Sequence, residues 1–459
     1  MKKASDHRQL APGTFSGLAF AILAIDLIAV GNGVVDVIFL TPFGLEAIAA
    51  MGLGDSVVLL FFAFFAGVVD VYASRLARAE GKGHTAHAMV RLLTSAVRVV
   101  VCWSALACAV VLLLPLGFSI MGADATLRVY AEHYAAARLL GLALSLALSL
   151  ASVSLRIFGY KKLSVWLVVI MFMANAGLNW VFLHGSAHVL FATPVLAVGV
   201  ATIVAQAFAG LIGWSVLARH LRRTRSAEEK ETGVGAEPSE FDYGASMFRT
   251  SSGVGMRQMN NYVAAVLPFL MISSLDVGVV AATTVATKLW TLYCRVPQAA
   301  LGAAGIFLGY ARGESTDRAH SSARRIFYPY VVAPSILAGV VILVLAPWLS
   351  RLFGGEEVRT DTVFLLFVAF MLGVPFYLAE QYSAEILTLE QEGTVMASMS
   401  TAVTCVVAAP IAVAGVLVWQ SAFISLLSAA AASAVLAFGF TRRTMSMGYH
   451  YGALRETTR

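Results

Sequence analysis

The sequence predicts an all-α polytopic membrane protein: twelve transmembrane helices in two pseudo-symmetric six-helix bundles. Block length, charge placement and a weak internal repeat carry this expectation. Of the 459 residues, 59% are hydrophobic and 13% are charged, and the mean hydropathy is +0.81. A helix needs about 20 consecutive apolar residues to cross the hydrocarbon layer. Twelve blocks reach that length: 14–40, 49–71, 93–117, 130–155, 163–183 and 194–217, then 250–275, 279–307, 327–349, 363–387, 395–418 and 422–440. No stretch alternates apolar and polar residues as barrel strands do. The first block is about twice an ordinary leader's apolar core and carries Asp26 and Asp36, so it is not expected to be a cleaved leader.

Lys and Arg set the orientation, because positive loops stay on the cytoplasmic side. With the N-terminus inside, cytoplasmic segments hold 24 of them and outer loops three. Both termini are therefore expected in the cytoplasm, with the protein in the cell inner or plasma membrane as a monomer surrounded by lipid bilayer. The pI of about 9.2 then reflects topology, and no nucleic-acid partner is expected. Cys102, Cys108, Cys294 and Cys405 all fall in spans without ligand spacing and read as small buried hydrophobes, with no metal and no cofactor.

Residues 219–244 run from basic (RHLRRTR) to acidic (EEKE) and contain Gly233, Gly235 and Pro238. They read as a flexible cytoplasmic linker between an N-terminal bundle, 1–218, and a C-terminal bundle, 245–459. Across it the sequence repeats with a shift of 232 residues: Ala49 and Ala50 map onto Ala281 and Ala282, Gly81 onto Gly313, Pro115 onto Pro347, Gly122 onto Gly354. Six spans per half give both copies the same orientation, with a substrate cavity expected between them.

Ionisable residues inside spans are the sharpest functional signal, each costing about 2.5–3.5 kcal/mol at the bilayer centre on insertion scales. Asp36 leads. Asn32 lies four residues before it on the same helical face, and Asn175 and Asn179 in the fifth span have the same spacing. A carboxylate among these amides can exchange a proton or hold a monovalent cation; the plainer alternative is that the asparagines bond helices together as polar glue. Glu380 and Asp26 are candidates for the cavity, or for buried pairing with Lys288, Arg138 or Arg295. Glu385 lies about 140° around the helix from Glu380. Asp70, Arg98 and Arg257 fall near predicted cytoplasmic ends, where snorkelling explains them. Trp166, Trp180, Trp290, Tyr293 and Phe376 are candidates to line a pocket for flat cations, or to sit at the lipid interface.

GVVDVIFLTPFGLEAIAAMGLG around Asp36, ASRLARAEGKG, MANAGLNWVFLHG, VVAATTVATKLW and GYARGES together resemble the multidrug and toxic compound extrusion (MATE) transporters. The resemblance implies a secondary active antiporter that exports drugs or metabolites, chiefly organic cations, by alternating access. The exchanged ion would be a proton, with sodium as the alternative. It makes Asp36 the coupling carboxylate and assigns Asn175 and Asn179 to its site, as in the NorM-type branch. The chain departs from the family pattern at Ala21 and Gly253, where prolines are usual, and at Asn261, where the NorM type has a glutamate. The partner acid of the tenth span falls near Ala379, beside Glu380, and EILTLEQEG replaces an arginine-containing turn. Asp26, Glu380, Asn261 and Tyr293 are the candidate cavity set.

A lipid-linked oligosaccharide flippase of the same superfamily is the first alternative, since Arg138, Lys288 and Arg295 suit a pyrophosphate. A major-facilitator transporter is the second, although ASRLARAEGKG lacks that group's usual acid-arginine pair. No HExxH, GxSxG or phosphate-binding loop occurs, so an enzyme is not expected.

Overall fold

The computed structural model describes residues 12–449, apart from 84, 121–124, 186–188, 233–244, 273–274, 276 and 355–358. Twelve helices, some broken, follow one another among the described residues. They are α1 (Pro12–Leu40), α2 (Leu45–Gly81), α3 (Ala86–Val110, continued as Leu114–Ile120), α4 (Ala125–Leu140 and Leu142–Ile157), α5 (Lys161–His184) and α6 (Pro194–Thr232). The second half supplies α7 (Ala245–Ile272), α8 (Val277–Glu314), α9 (Thr316–Ile326, a wide π turn Phe327–Val332, then Ala333–Gly354), α10 (Thr360–Leu372 and Val374–Leu389), α11 (Gly393–Val403, a π turn Thr404–Ala408, then Ala409–Leu417) and α12 (Ala422–Ser446). Eight of these are apolar enough to span a membrane by hydropathy, and the two bent pairs bring the number to ten. The remaining two, α7 and α8, are the helices that carry Arg257, Asn260 and Asn261, and Lys288 and Arg295.

The repeat is written into the helix bounds. Leu40 and Ile272 end α1 and α7, Leu45 and Val277 open α2 and α8, and Lys161 and Gly393 open α5 and α11, each pair 232 residues apart. The bends obey the same shift: α4 turns by 46° at Gly141 and α10 by 41° at Gly373. A side chain at Gly141 would collide with Ile203 of α6, and one at Gly373 would lie 3.0 Å from Ala430 of α12. Both bends therefore sit at glycines against which a neighbouring helix packs closely. In α10, Pro375 also removes a backbone donor next to the break.

Packing groups the helices into two units. The first is Phe20–Ser251; the second starts at Ser252 and includes the start of α1 up to Ala19. In the first unit, two apolar clusters form the core. One gathers Leu40, Ala47, Met51, Tyr134, Leu183 and Val198; the other gathers Leu148, Leu155, Leu167, Met171, Ala205 and Ala209. Helix α6 runs through both, entered by a Thr193 side chain that accepts the Leu196 amide and by Pro194 at its first position. It continues to Thr232, so the stretch from Arg219 that reads as a linker is helical that far. Its Arg, Ala, Glu and Lys residues are strong helix formers, which outweighs the charge pattern. The remainder of the linker lies outside the described residues.

In the second unit, the acidic turn between α10 and α11 gains a physical account. Glu390 accepts Arg312 Nε at 2.8 Å and the Tyr449 hydroxyl at 2.8 Å, while Glu392 pairs with Arg443 at 2.6 Å. The turn thus ties the ends of α8, α10 and α12 together. Tyr449 is buried against His320, with ring centroids 4.3 Å apart. Of the four cysteines, only Cys294 is fully buried; Cys102 and Cys405 are exposed, contrary to the expectation for apolar spans.

Close backbone approach fixes α7 on α11, where a Cβ at Gly253 would overlap the backbone of Gly393. Gly253→Ala is expected to destabilise the detergent-solubilised protein by about 1–3 kcal/mol, as overpacking does. Gly52→Ala, which meets nothing within 4 Å, should be neutral. Thermal unfolding of the two variants side by side checks this.

Candidate functional site

Asp36 sits between the two apolar clusters of the first unit. On α1 it lies between Ile28, packed on one cluster, and Leu40 in the other; on α5 and α6, Asn175 and Thr202 fall in the same interval. The polar site is therefore closed by hydrocarbon at both ends. Asp36 is 2% exposed, Asn175 and Asn179 are 0%.

One turn apart on α5, Asn175 and Asn179 both donate Nδ2 to Asp36 Oδ1, at 2.6 and 2.7 Å. Thr202 of α6 has its single hydroxyl proton in reach of both Oδ2, at 3.3 Å, and the Val198 carbonyl, at 3.1 Å. All three donors are neutral. Asp36 Oδ1 thus accepts two amides, and among the described residues Asp36 has no ion-pair partner. The other half of each amide is left over: Asn175 Oδ1 and Asn179 Oδ1 are enclosed without a donor, as is Asn32 Oδ1. An unmet buried acceptor costs about 1–3 kcal/mol. Asn32, although buried one turn from Asp36, makes no bond to the carboxylate.

The second unit buries its own acid differently. Glu380 of α10 accepts Asn261 Nδ2 and Gln381 Nε2 on Oε1, each at 3.0 Å, and the Ser433 hydroxyl on Oε2 at 2.8 Å. Arg257 lies 3.6 Å from Oε1 and donates to Gln381 at 3.2 Å. Arg257 is 1% exposed, so it does not snorkel as its sequence position suggested. It, rather than Lys288, Arg138 or Arg295, is the charge partner of Glu380. Arg257 and Asn261 are one turn apart on α7, which brings both to the same acid. Lys288 is exposed, and Glu385 lies against Gly305 of α8, away from Glu380.

The remaining candidates scatter. Asp26 is ten residues from Asp36, about 15 Å along the helix, and with Asp70 lies in electrostatic reach of Arg156. Tyr293 is fully buried with its hydroxyl unpartnered, in an aromatic group with Trp290 (5.2 Å) whose indole stacks on Phe370 at 5.3 Å. Trp166, Trp180 and Phe376 are exposed. Among the described residues no group of three His, Cys, Asp or Glu side chains could hold a metal ion. Sequence reasoning missed Thr202, one threonine among many apolar-span threonines, and Arg257, whose i, i+4 spacing to Asn261 was the available signal.

Residues 22–181, which contain Asp36 and both asparagines of α5, match the MatE family model. No curated protein matches the sequence. Among solved structures, the chain is similar to the eukaryotic MATE transporter AtDTX14, at 15% identity over 96% of both chains with a TM-score of 0.78. A MOP superfamily transporter from Pyrococcus furiosus, described as having a binding pocket of reverse polarity, matches at 17% identity over 96% of this chain and 97% of its own, TM-score 0.75. A MATE structure in the bent conformation matches at 17% identity over 95% of both chains, TM-score 0.73. MatE is a family of transporters, not enzymes. The chain has the twelve-helix fold of the MATE transporters, and its first half carries a MatE family domain.

Proposed function

We propose that this protein is a secondary active antiporter exporting drugs or metabolites, chiefly organic cations, in exchange for protons by alternating access. It works as a monomer in the cell membrane with both termini cytoplasmic. The observation that carries this reading is Asp36: a carboxylate sealed between apolar clusters, bonded by three neutral donors and by no cation. Such a group is left with a charge to neutralise. A proton or a cationic substrate can each do so, and the two exclude one another. Protonation from outside then favours substrate release, and loss of the proton inside restores affinity. Coupling needs this difference in affinity between states, because a ligand that binds both equally shifts neither.

Sodium as the coupling ion is favoured by one specific feature. Among the described residues the Oδ1 atoms of Asn32, Asn175 and Asn179 are enclosed without a donor and are hard neutral ligands for a monovalent cation, which Asn175 and Asn179 would offer beside Asp36 by turning over the amides that now donate to it. Glu380 is the weaker coupling candidate, since Arg257 already balances its charge. Its place is in substrate selection, together with Asn261.

In liposomes containing purified protein, Asp36→Asn is expected to leave a folded protein that no longer exports substrate uphill under either a pH or a sodium gradient. Wild-type uphill export by this variant would move coupling elsewhere; parallel proton and sodium arms identify the ion. Glu380→Gln should change which compounds are exported more than it changes coupling. Arg257→Met leaves a buried acid uncompensated and should cost about 3–5 kcal/mol of stability, most of it recovered in the Arg257→Met/Glu380→Gln double variant, as read by thermal unfolding. For topology, a cysteine at exposed Ser226 should be shielded from an impermeant reagent added outside cells, and one at exposed Val189 should react.

A further inference from the structure

A second polar cluster lies in the first unit, and the coupling reading leaves it unused. Asp55 of α2 accepts the Tyr134 hydroxyl of α4 at 3.0 Å. Tyr134 is fixed from two sides. A Cβ at Gly54, next to Asp55, would lie 2.9 Å from its ring and 3.1 Å from the Ala131 carbonyl, and one at Gly199 of α6 would lie 3.6 Å from the ring's other edge. One turn further along α4, the Arg138 guanidinium lies over the Phe62 ring at 5.5 Å. Its Nε and Nη1 are enclosed without an acceptor. Geometry places Arg138 between the two acids: it follows Tyr134, which holds Asp55, by one turn, it covers Phe62 of the helix that carries Asp55, and Tyr134 packs in one cluster with Leu40, one turn from Asp36. Among the described residues it forms an ion pair with neither acid, although its charge reaches both.

We propose that Asp55 and Arg138 are positioning residues of the Asp36 site: Arg138 is a cation shared by two carboxylates, so the trio is one positive charge short of neutrality. This rests on the Asp36 reading above and deepens it. A net charge inside a low-dielectric bundle is costly, whereas a balanced group is tolerated. The trio therefore takes up one monovalent cation or proton per cycle, and its affinity is set by the charge count of all three residues. When Asp36 is filled, the guanidinium's remaining ionised partner is Asp55, so occupancy on α1 is felt on α2 and α4. Several other ionisable groups on these helices have partners of their own: Glu132 lies 3.6 Å from Arg128, His133 bonds Thr193, Asp26 and Asp70 lie in reach of the Arg156 charge, and His184 sits beside Phe39 and Phe43.

The test is the concentration of external proton or sodium giving half-maximal export in liposomes. Asp55→Asn makes the ionised site neutral and is expected to raise that concentration severalfold. Arg138→Gln leaves two uncompensated acids and is expected to lower it. The Asp55→Asn/Arg138→Gln double variant restores the count and should return close to wild type, and Arg138→Lys should barely differ from it. Opposite shifts with mutual rescue are not produced by simple loss of packing. An unchanged Asp55→Asn, shifts in the same direction, or a double variant no better than Arg138→Gln would overturn the proposal; if Arg138→Gln does not fold, Asp55→Asn and Arg138→Lys decide it. Asp36→Asn is measured in parallel. If it still exports uphill, the coupling reading itself fails; if it is inactive while rescue is absent, only the shared-charge inference fails.

Discussion

A carboxylate enclosed by hydrocarbon without a bonded cation is the constraint on which the first unit is organised. Such a group is expensive inside a membrane, roughly 2.5–3.5 kcal/mol on insertion scales, and three neutral hydrogen bonds only partly offset this. The packing around Asp36 follows from that need. Helix α5 must present two asparagines one turn apart, and α6 must bring Thr202 to the opposite oxygen. Both helices must also supply apolar residues above and below, so that water does not take over the donors' role. A side chain at Gly141, where α4 bends, would collide with Ile203, the residue after Thr202.

The internal repeat preserves the frame and not the chemistry. Helix ends and bends recur at the 232-residue shift, but the position matching Asp36 is Pro268, and the position matching Glu380 is Leu148. The acid sits on a unit's first helix in one half and on its fourth in the other. The two halves thus share helix bounds and bends, while the buried acid of one is held by neutral donors and that of the other faces an arginine.

Much of this was legible in the sequence, for definable reasons. Span number follows from apolar length, which the bilayer sets independently of packing. That Asn175 and Asn179 share one face was readable because the i, i+4 spacing is a local property of a helix; that this face belongs with Asp36 came from the family resemblance. What failed was long-range. Arg257 was misplaced because its distance from the span's end says nothing about which helix it faces; only the fold puts Glu380 opposite it. Thr202 was invisible because hydroxyls in apolar helices usually bond their own backbone, and Thr202 does that as well. Asn32 shares a face with Asp36 in sequence, yet side chains one turn apart need not meet when α5 supplies closer donors. Residues 219–232 looked like a linker because charge was weighed above helix propensity.

The buried Tyr449 has a consequence for how far the second unit extends. It follows α12 and donates to Glu390, which also accepts Arg312 from 78 residues earlier in the chain. Without Tyr449, Glu390 loses the hydroxyl it accepts and His320 loses the ring packed against it. This corner of the second unit is therefore completed only by a residue beyond the end of α12. A truncation at Ser446 would keep the whole of α12 and still remove both contacts.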